Sequence, residues 1–332
     1  MGLKFTVIIA TRNRTELLPR SLHAVAAQSH PDIELIVIDD STSEETRAAN
    51  AAVVREIFPA AVYLPMPEDQ RGRGPGFPRN HGMAQATGDY IAFLDDDDEW
   101  IDPANLAVVS GILERHGFDV HFTDQEAMLV SGAIYPPPVW TEDLGQKLPA
   151  AGLSPKDGSY LVPVDKMLLS DGFAHLNNTV VRRSLMQDGL HGFDLRITYE
   201  EDREIYFRFL DQADAIGYTP RLVARHHIPA GANRPSASNT VPDEEKDASR
   251  LRYFDNLIAS ARLELIRERA RRERIYTLKR IAQREAGKGN LADARHFGTE
   301  ALRAAFGYKW AMYMGWLWVR SAFAPGKSGS AA

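Results

Sequence analysis

Four consecutive carboxylates, Asp95-Asp-Asp-Asp98, follow directly on the apolar run Tyr90-Ile-Ala-Phe-Leu94. Carboxylates this close oppose one another's ionisation unless a cation neutralises them. An all-oxygen ligand set favours Mg²⁺ or Mn²⁺, ions that keep several waters and bind substrate phosphates. A diphosphate leaving group suits such a site, because the metal neutralises its developing charge. The plainer reading is a solvated acidic turn capping the helix that begins near Pro103. The apolar strand before the acids and Trp100 after them favour the metal.

Three further constellations bear on the same chemistry. Arg71, Arg73 and Arg79 flank Gly72, Gly74 and Gly76. Backbone amides of a Gly-rich turn and guanidinium groups suit phosphate, although a solvent loop with ordinary arginines has the same composition. Glu200-Glu-Asp202 opens an expected helix containing Ile205, Phe207, Phe209 and Leu210. Capping is the commoner role of carboxylates at a helix start, whereas a catalytic base requires one held beside an acceptor hydroxyl. His226-His227, beside Arg225, offers a metal ligand or a phosphate contact against the ordinary role of a structural histidine.

The elements that must position these groups follow from periodicity. Phe5–Ala10, Ile33–Asp39, Ala61–Leu64 and Tyr90–Leu94 are short apolar runs with polar ends, expected as buried strands. Helical spacing separates them: Leu17, Leu18, Leu22, Val25 and Ala26 after Thr15, then Ser43–Phe58, then Gly74–Ala86. Alternating strand and helix imply βαβ units and a mostly parallel sheet flanked by helices. Ligands of such sheets sit at the carboxyl ends of the strands, where Thr11, Asp39, Asp40 and Asp95–Asp98 converge. Further on, a helix is expected over 105–116, a strand over 119–123, a long Pro/Gly/Asp-rich loop over 136–166, a strand and short helix over 178–188, a helix over 201–211, and short strands at 215–218 and 222–225. Residues 229–243 read as a polar boundary loop and 326–332 as a disordered tail.

Composition narrows the classes. The chain has 332 residues, a formal charge of −6 and no cysteine. Negative charge argues against general nucleic-acid binding. Lack of Cys excludes disulfides, Cys-ligated zinc, iron–sulfur clusters and a thiol nucleophile. No signal peptide is visible, and no stretch reaches the roughly 18–20 apolar residues of a membrane span. The expected location is cytoplasmic, with peripheral contact at the inner face of the membrane as an extension of it.

In order and spacing these pieces resemble the family 2 inverting glycosyltransferases of the GT-A (Rossmann-like) fold. The matching runs are Phe5-Thr-Val-Ile-Ile-Ala-Thr-Arg-Asn-Arg14, Ile36-Val-Ile-Asp-Asp-Ser-Thr-Ser-Glu-Glu-Thr46, Arg79-Asn-His-Gly82, Ala86–Asp98 with its DXD acids, Gly192-Phe-Asp194, Glu201-Asp202 with Arg208, and Arg225-x-His227. The resemblance covers about residues 4–235 and implies a catalytic domain over 1–235, with a C-terminal helical extension over 236–332. It also implies transfer from a nucleotide-diphosphate-sugar, UDP first among the bases, to a hydroxyl of a glycan or lipid-linked acceptor in polysaccharide synthesis, with Mn²⁺ or Mg²⁺ as cofactor. Thr11, Arg14, Asp39 and Asp40 would line the nucleoside pocket, with Asp39 accepting from the base. Arg79 would contact the diphosphate. Asp95 and Asp96 would reach the donor. Asp97, Asp95 and His227, in preference to His226, would hold the metal, with Asp98 assisting. Asp202 would be the general base, with Glu201 orienting it or the acceptor. Two departures stand out: Ser41 replaces the Gly usual after the paired aspartates, and the DXD lies within four aspartates. The competing readings are a nucleotidyltransferase or pyrophosphatase, and a non-catalytic carbohydrate- or nucleotide-binding module. Thr11-Arg-Asn-Arg14 lacks the glycines of a nucleotidyltransferase phosphate loop.

The C-terminal third reads as helices. Residues 244–284 are charge-rich, with Arg262, Arg267, Arg269, Arg271, Arg272, Arg274 and Arg280 interleaved with Glu264, Glu268 and Glu273. Such a stretch is expected as a solvated helix packing one side on a core or a partner. A helix over 290–306 follows. Residues 308–323 carry Trp310, Trp316 and Trp318 between Lys309 and Arg320, which suits a membrane interface. The alternative is a terminal helix docked on the chain or on a second copy, giving a homodimer.

Overall fold

Phe5–Thr11 forms β1, Ile33–Asp39 β2, Val62–Pro65 β3 and Tyr90–Phe93 β4. They pair in parallel in the order β3-β2-β1-β4. The register sets Thr11 opposite Asp39, so the polar ends of β1 and β2 lie side by side. This is a computed structural model, and it describes residues 2–228 and 241–322. The boundary loop expected over 229–243 falls largely outside those residues, and the tail over 326–332 wholly so.

Crossovers α1 (Leu18–Ala26), α2 (Glu44–Ile57) and α3 (Gly76–Met83) connect the parallel strands. Ser43 caps α2, its hydroxyl accepting the Thr46 backbone N–H. β1, β2 and β4 are buried on both faces, as their unbroken apolar runs require, while β3 at the edge is partly exposed. Val7, Ile9, Leu35 and Val37 pack toward α1 and α4 (Asn105–His116), where Leu18, Leu22, Leu106 and Val109 complete one core. Ile36 and Ile38 face the other side, with Met66 and Phe77. There α3 lies against the sheet at Gly82, where a Cβ would stand 3.0 Å from Ile8 Cγ2 and 3.1 Å from Ile38 Cγ1. Glycine gives the helix that approach.

Beyond β4 the directions mix. β5 (Glu99–Trp100), β6 (Val120–Met128), β7 (Tyr160–Leu161), β8 (Thr179–Arg182) and β9 (Ile216–His227) extend the sheet in the order β4-β8-β6-β9-β5, with β7 also on β9. β8 runs antiparallel to both β4 and β6, and β5 and β7 antiparallel to β9, while β6 and β9 are parallel. Six strands therefore share one direction and β5, β7 and β8 oppose it. Helices α5 (Leu144–Ala150) and α6 (Val164–Met167) break up the long loop expected over 136–166, and α7 (Glu201–Gln212) carries the second acidic motif. The two short strands expected at 215–218 and 222–225 are one strand, β9, whose irregular register against β6 falls between Phe122 and Gln125.

The chain divides into two units, Met1–Pro242 and Asp243–Ala332. The second holds α8 (Asp243–Ser260), α9 (Glu264–Lys288), α10 (Leu291–Ala304) and α11 (Tyr308–Ala322). The charged stretch read as continuous over 244–284 is thus two helices. Leu278, Ala282, Ala294, Ala301, Trp310, Met314 and Leu317 form its core.

Candidate active site

The acids at the β4 tip do not share one environment. Asp96 is fully buried and receives the Thr11 hydroxyl at 2.7 Å and the Arg14 guanidinium at 2.6 Å. Arg14 also reaches Asp97 at 2.9 Å, and Arg20 donates to the Asp97 carbonyl at 2.8 Å. Asp95 pairs with Arg79 at 2.9 Å, and the same guanidinium binds Glu201 at 2.5 Å. Asp98 accepts from Asn177 Nδ2 at 2.6 Å and the His227 backbone N–H at 2.8 Å, and pairs with His226 Nδ1 at 2.8 Å. Protein cations thus offset part of the cluster's charge.

These neighbours set the titrations. Burial raises the Asp95 carboxyl, but Arg79 and then His175 outweigh it and leave it at about 2. Burial dominates at Asp96, pushing it to about 7 despite Arg14. Burial and the adjacent Asp98 also raise Asp97. His226 is lowered by burial but raised more strongly by Asp98, to about 9.

α7 brings the second acidic pair to the same place. Glu200, just before it, sits at φ 58. A non-glycine residue in that region costs free energy that the surrounding structure must supply, a pattern common at functional sites. Burial pushes Asp202 up to about 6, against the Arg203 backbone N–H that donates to it at 2.8 Å. Glu201 is raised by burial and held by Arg79.

The joining residue is one that the sequence reading missed. His175 Nε2 lies 3.7 Å from Asp95 Oδ2 and 3.6 Å from Asp202 Oδ2. Its ring packs against Trp140 and His226, with centroids 5.8 and 5.4 Å away. Asn177 was missed as well. Its Oδ1 accepts the Asp95 backbone N–H at 2.9 Å while its amide donates to Asp98, so it fixes two of the four acids. The polar run His175-Leu-Asn-Asn178 before an apolar strand was the only available signal, and it carries no spacing rule.

Several residues expected at the site are occupied otherwise. Asp39 is fully buried and accepts from Ser41 N at 2.7 Å, Asn50 Nδ2 at 2.7 Å and Tyr63 OH at 2.5 Å. Its carboxylate anchors the β2 turn and does not face an open base pocket. Asp40 accepts the Gly72 N–H at 2.9 Å and pairs with Arg12 at 3.2 Å, tying the Gly-rich segment to β2. Arg79 is buried between Asp95 and Glu201, its guanidinium paired with both. His227 turns its ring to Glu99 at 3.1 Å and does not join the acids. The turn after Asp40 works with serine because Ser41 Oγ accepts the Asn13 N–H at 2.8 Å.

A divalent ion fits a different trio from the one expected. Among the described residues, ligand atoms of Asp95, Asp98 and His175 lie within 4.8 Å of one another. Asp95 Oδ2 and His175 Nε2 lie 3.7 Å apart, whereas both Asp98 oxygens already serve chain donors. Carboxylate with imidazole favours Mn²⁺ over Mg²⁺.

This fold and this pairing of a strand-tip acid cluster with a helix-borne carboxylate define the GT-A class. Residues 6–130 match the family model described as glycosyl transferase family 2, so this stretch of the chain is similar to that family. Among similar proteins, a Campylobacter jejuni GalNAc(5)-diNAcBac-PP-undecaprenol beta-1,3-glucosyltransferase is 34% identical over 101 residues, 30% of this chain and 32% of that one. The Staphylococcus aureus poly(ribitol-phosphate) beta-N-acetylglucosaminyltransferase TarS is 29% identical over 121 residues, 36% of this chain and 20% of that one. The matched stretch thus spans a third or less of these relatives. The crystal structure of TarS 1-349 with UDP-GlcNAc superposes with a TM-score of 0.65 at 19% identity, covering 91% of this chain and 81% of that one. A Pyrobaculum calidifontis mannosyltransferase with GDP-Man and Mn²⁺ superposes at 0.55 and 16% identity, covering 98% and 82%.

Proposed function

We propose that the chain is a metal-dependent inverting glycosyltransferase that moves a sugar from a UDP-sugar to a hydroxyl of a glycan or lipid-linked acceptor in polysaccharide synthesis. The observation that carries this reading is the approach of Asp202 and Asp95 to one ring nitrogen, His175 Nε2, at 3.6 and 3.7 Å. It puts a base-type carboxylate beside the acid cluster that faces the leaving group. Asp202 takes the proton of the acceptor hydroxyl. The acceptor oxygen attacks the anomeric carbon as the bond to the diphosphate breaks, and a single in-line displacement inverts the centre. Asp95 and His175, with Asp98 sharing, would hold Mn²⁺, which when bound neutralises charge on the departing diphosphate. Glu201, held by Arg79, keeps Asp202 aligned.

The donor base rests on similarity: the TarS structure has UDP-GlcNAc bound, whereas the mannosyltransferase has GDP-Man. The lipid-linked acceptor rests on the undecaprenol-linked acceptor named for the C. jejuni relative, and work at the inner face of a membrane follows from such an acceptor. Thr11, Arg14, Asp39 and Asp40 stay assigned to the nucleoside side, which requires Asp39 to exchange a chain partner for the base. Likewise Arg79 would exchange an acid for the diphosphate. A nucleotidyltransferase fits less well, because the β1 tip holds Arg14 against acids where a glycine loop would cradle phosphate.

The test is release of UDP from a panel of UDP-sugars with Mn²⁺, to water or to added acceptors. Asp202→Asn should lower turnover by about 10²–10⁴-fold while leaving UDP affinity within about twofold. Unchanged turnover in Asp202→Asn would remove the base assignment.

A further inference from the structure

α11 is apolar on two opposite faces, and only one of them is covered. Trp310, Met314 and Leu317 are buried in the C-terminal core, and Trp310 Nε1 donates to the Gly298 carbonyl at 3.0 Å. On the other side Tyr308, Met312, Trp316 and Val319 recur at helical spacing and are 81%, 76%, 52% and 58% exposed. Phe306, just before the helix, is 67% exposed and packs edge-on against Tyr308. A soluble surface rarely leaves such a contiguous aromatic stripe uncovered without a partner for it.

The charges around the stripe indicate what covers it. The helix sequence Tyr308–Ala322 has Lys309 and Arg320 near its two ends and no carboxylate. Arg320 lies over the Trp316 ring at 5.3 Å. On α10, a shallow groove beside Trp318 is lined by Arg295, His296 and Arg303, and its one acid, Glu300, is paired with Arg274. A twofold contact between two copies through this stripe would bring cation toward cation with no acid on α11 to pair them. An anionic lipid surface supplies the opposite charge and takes Trp and Tyr at the level of its headgroups. With 15 residues the helix is about 22 Å long, short of the ~30 Å hydrocarbon core. No described helix is long and apolar enough to cross a membrane.

We propose that α11 lies in the plane of an anionic bilayer surface, with Tyr308, Met312, Trp316 and Val319 inserted at the headgroup boundary and Lys309 and Arg320 against lipid phosphates. The inference is independent of the catalytic reading, since none of these residues belongs to the acid site.

The full chain would be floated with phosphatidylcholine vesicles and with vesicles containing phosphatidylglycerol, at low and high salt. Flotation is expected with the anionic vesicles at low salt, weakened by salt. Met312→Glu with Trp316→Glu should abolish it. Lys309→Glu with Arg320→Glu should reduce it at least about tenfold. These side chains are exposed, and unchanged circular dichroism and UDP binding in the variants confirm an intact fold and separate this result from the fate of the transferase reading. Independently of any variant, brominated lipid should quench part of the tryptophan emission. No flotation with anionic vesicles overturns the proposal, as does flotation indifferent to both double substitutions. A concentration-dependent dimer that Met312→Glu with Trp316→Glu dissolves, without vesicle binding, would overturn it in favour of a contact between copies.

Discussion

Four adjacent aspartates repel one another, and the protein separates their duties by giving them different sets of neighbours. Arg14 and Thr11 take Asp96, Arg14 also takes Asp97, Arg79 takes Asp95, and His226 with Asn177 takes Asp98. The run of acids was legible from the sequence. The partners were not, because they come from positions up to 128 residues away and only the fold sets them together. The same holds for Asp202, whose approach to Asp95 depends on His175. Burial raises the Asp202 carboxyl to about 6, and a base must be ionised to accept a proton. The ionised form therefore dominates above pH 6 and is lost as pH falls through it. The rate of donor turnover should drop about tenfold per pH unit below 6, and the small residual rate of Asp202→Asn should lack that limb. A rate that stays level down to pH 4.5 would assign the proton to another group.

At the scale of elements, the Arg79-Asn-His-Gly82 motif is one device with three contacts. Arg79 points to the acids. Asn80 clamps the Gly192-Phe-Asp194 turn, its Nδ2 donating to the Phe193 carbonyl at 2.9 Å and its Oδ1 accepting the Phe193 N–H at 2.8 Å. Gly82 lets α3 settle on the sheet. Two motifs 113 residues apart are thus a single joint that sets where α7 begins. Asn80→Ala leaves both Phe193 backbone groups without their partner and should cost about 1–3 kcal/mol, read as a lower midpoint in urea. Gly192→Ala should cost at least as much, since φ is 80° there and a Cβ would stand 2.5 Å from Asn80 Oδ1. The strands, helices and crossovers up to β4 were legible because buried parallel strands read as unbroken apolar runs. Beyond β4 the reading loosened for a physical reason. β6, β8 and β9 are partly polar, with His121, Gln125, Thr179 and Thr219 buried in them, so apolar periodicity marks them poorly and the joining of 215–218 with 222–225 into one strand did not show.

The molecule as a whole has two units with separate means of support. The first rests on the two faces of one sheet. The second is four helices around a small core, with Asp247, almost fully buried, paired to Arg250, Arg280 and Arg284. The sequence displayed the charge-laced helices but not this knot, because the three arginines appeared as members of a solvated face. Asp247→Ala removes the buried acid that Arg250, Arg280 and Arg284 share, a change that should cost about 1–3 kcal/mol. Hydrogen exchange should report the loss within 243–322 while protection in 2–228 stays as it was. The proposed function reduces at this scale to one requirement, that a nucleotide diphosphate bind at the strand tips together with a metal held by Asp95 and His175. The direct measurement is calorimetric titration of the full chain with UDP, with and without Mn²⁺, on the wild type and on His175→Ala. UDP binding should depend on Mn²⁺ and weaken at least about tenfold in His175→Ala. Mn²⁺-dependent binding that is identical in the variant would contradict the ligand assignment, and failure of UDP to bind at all would contradict the donor site itself.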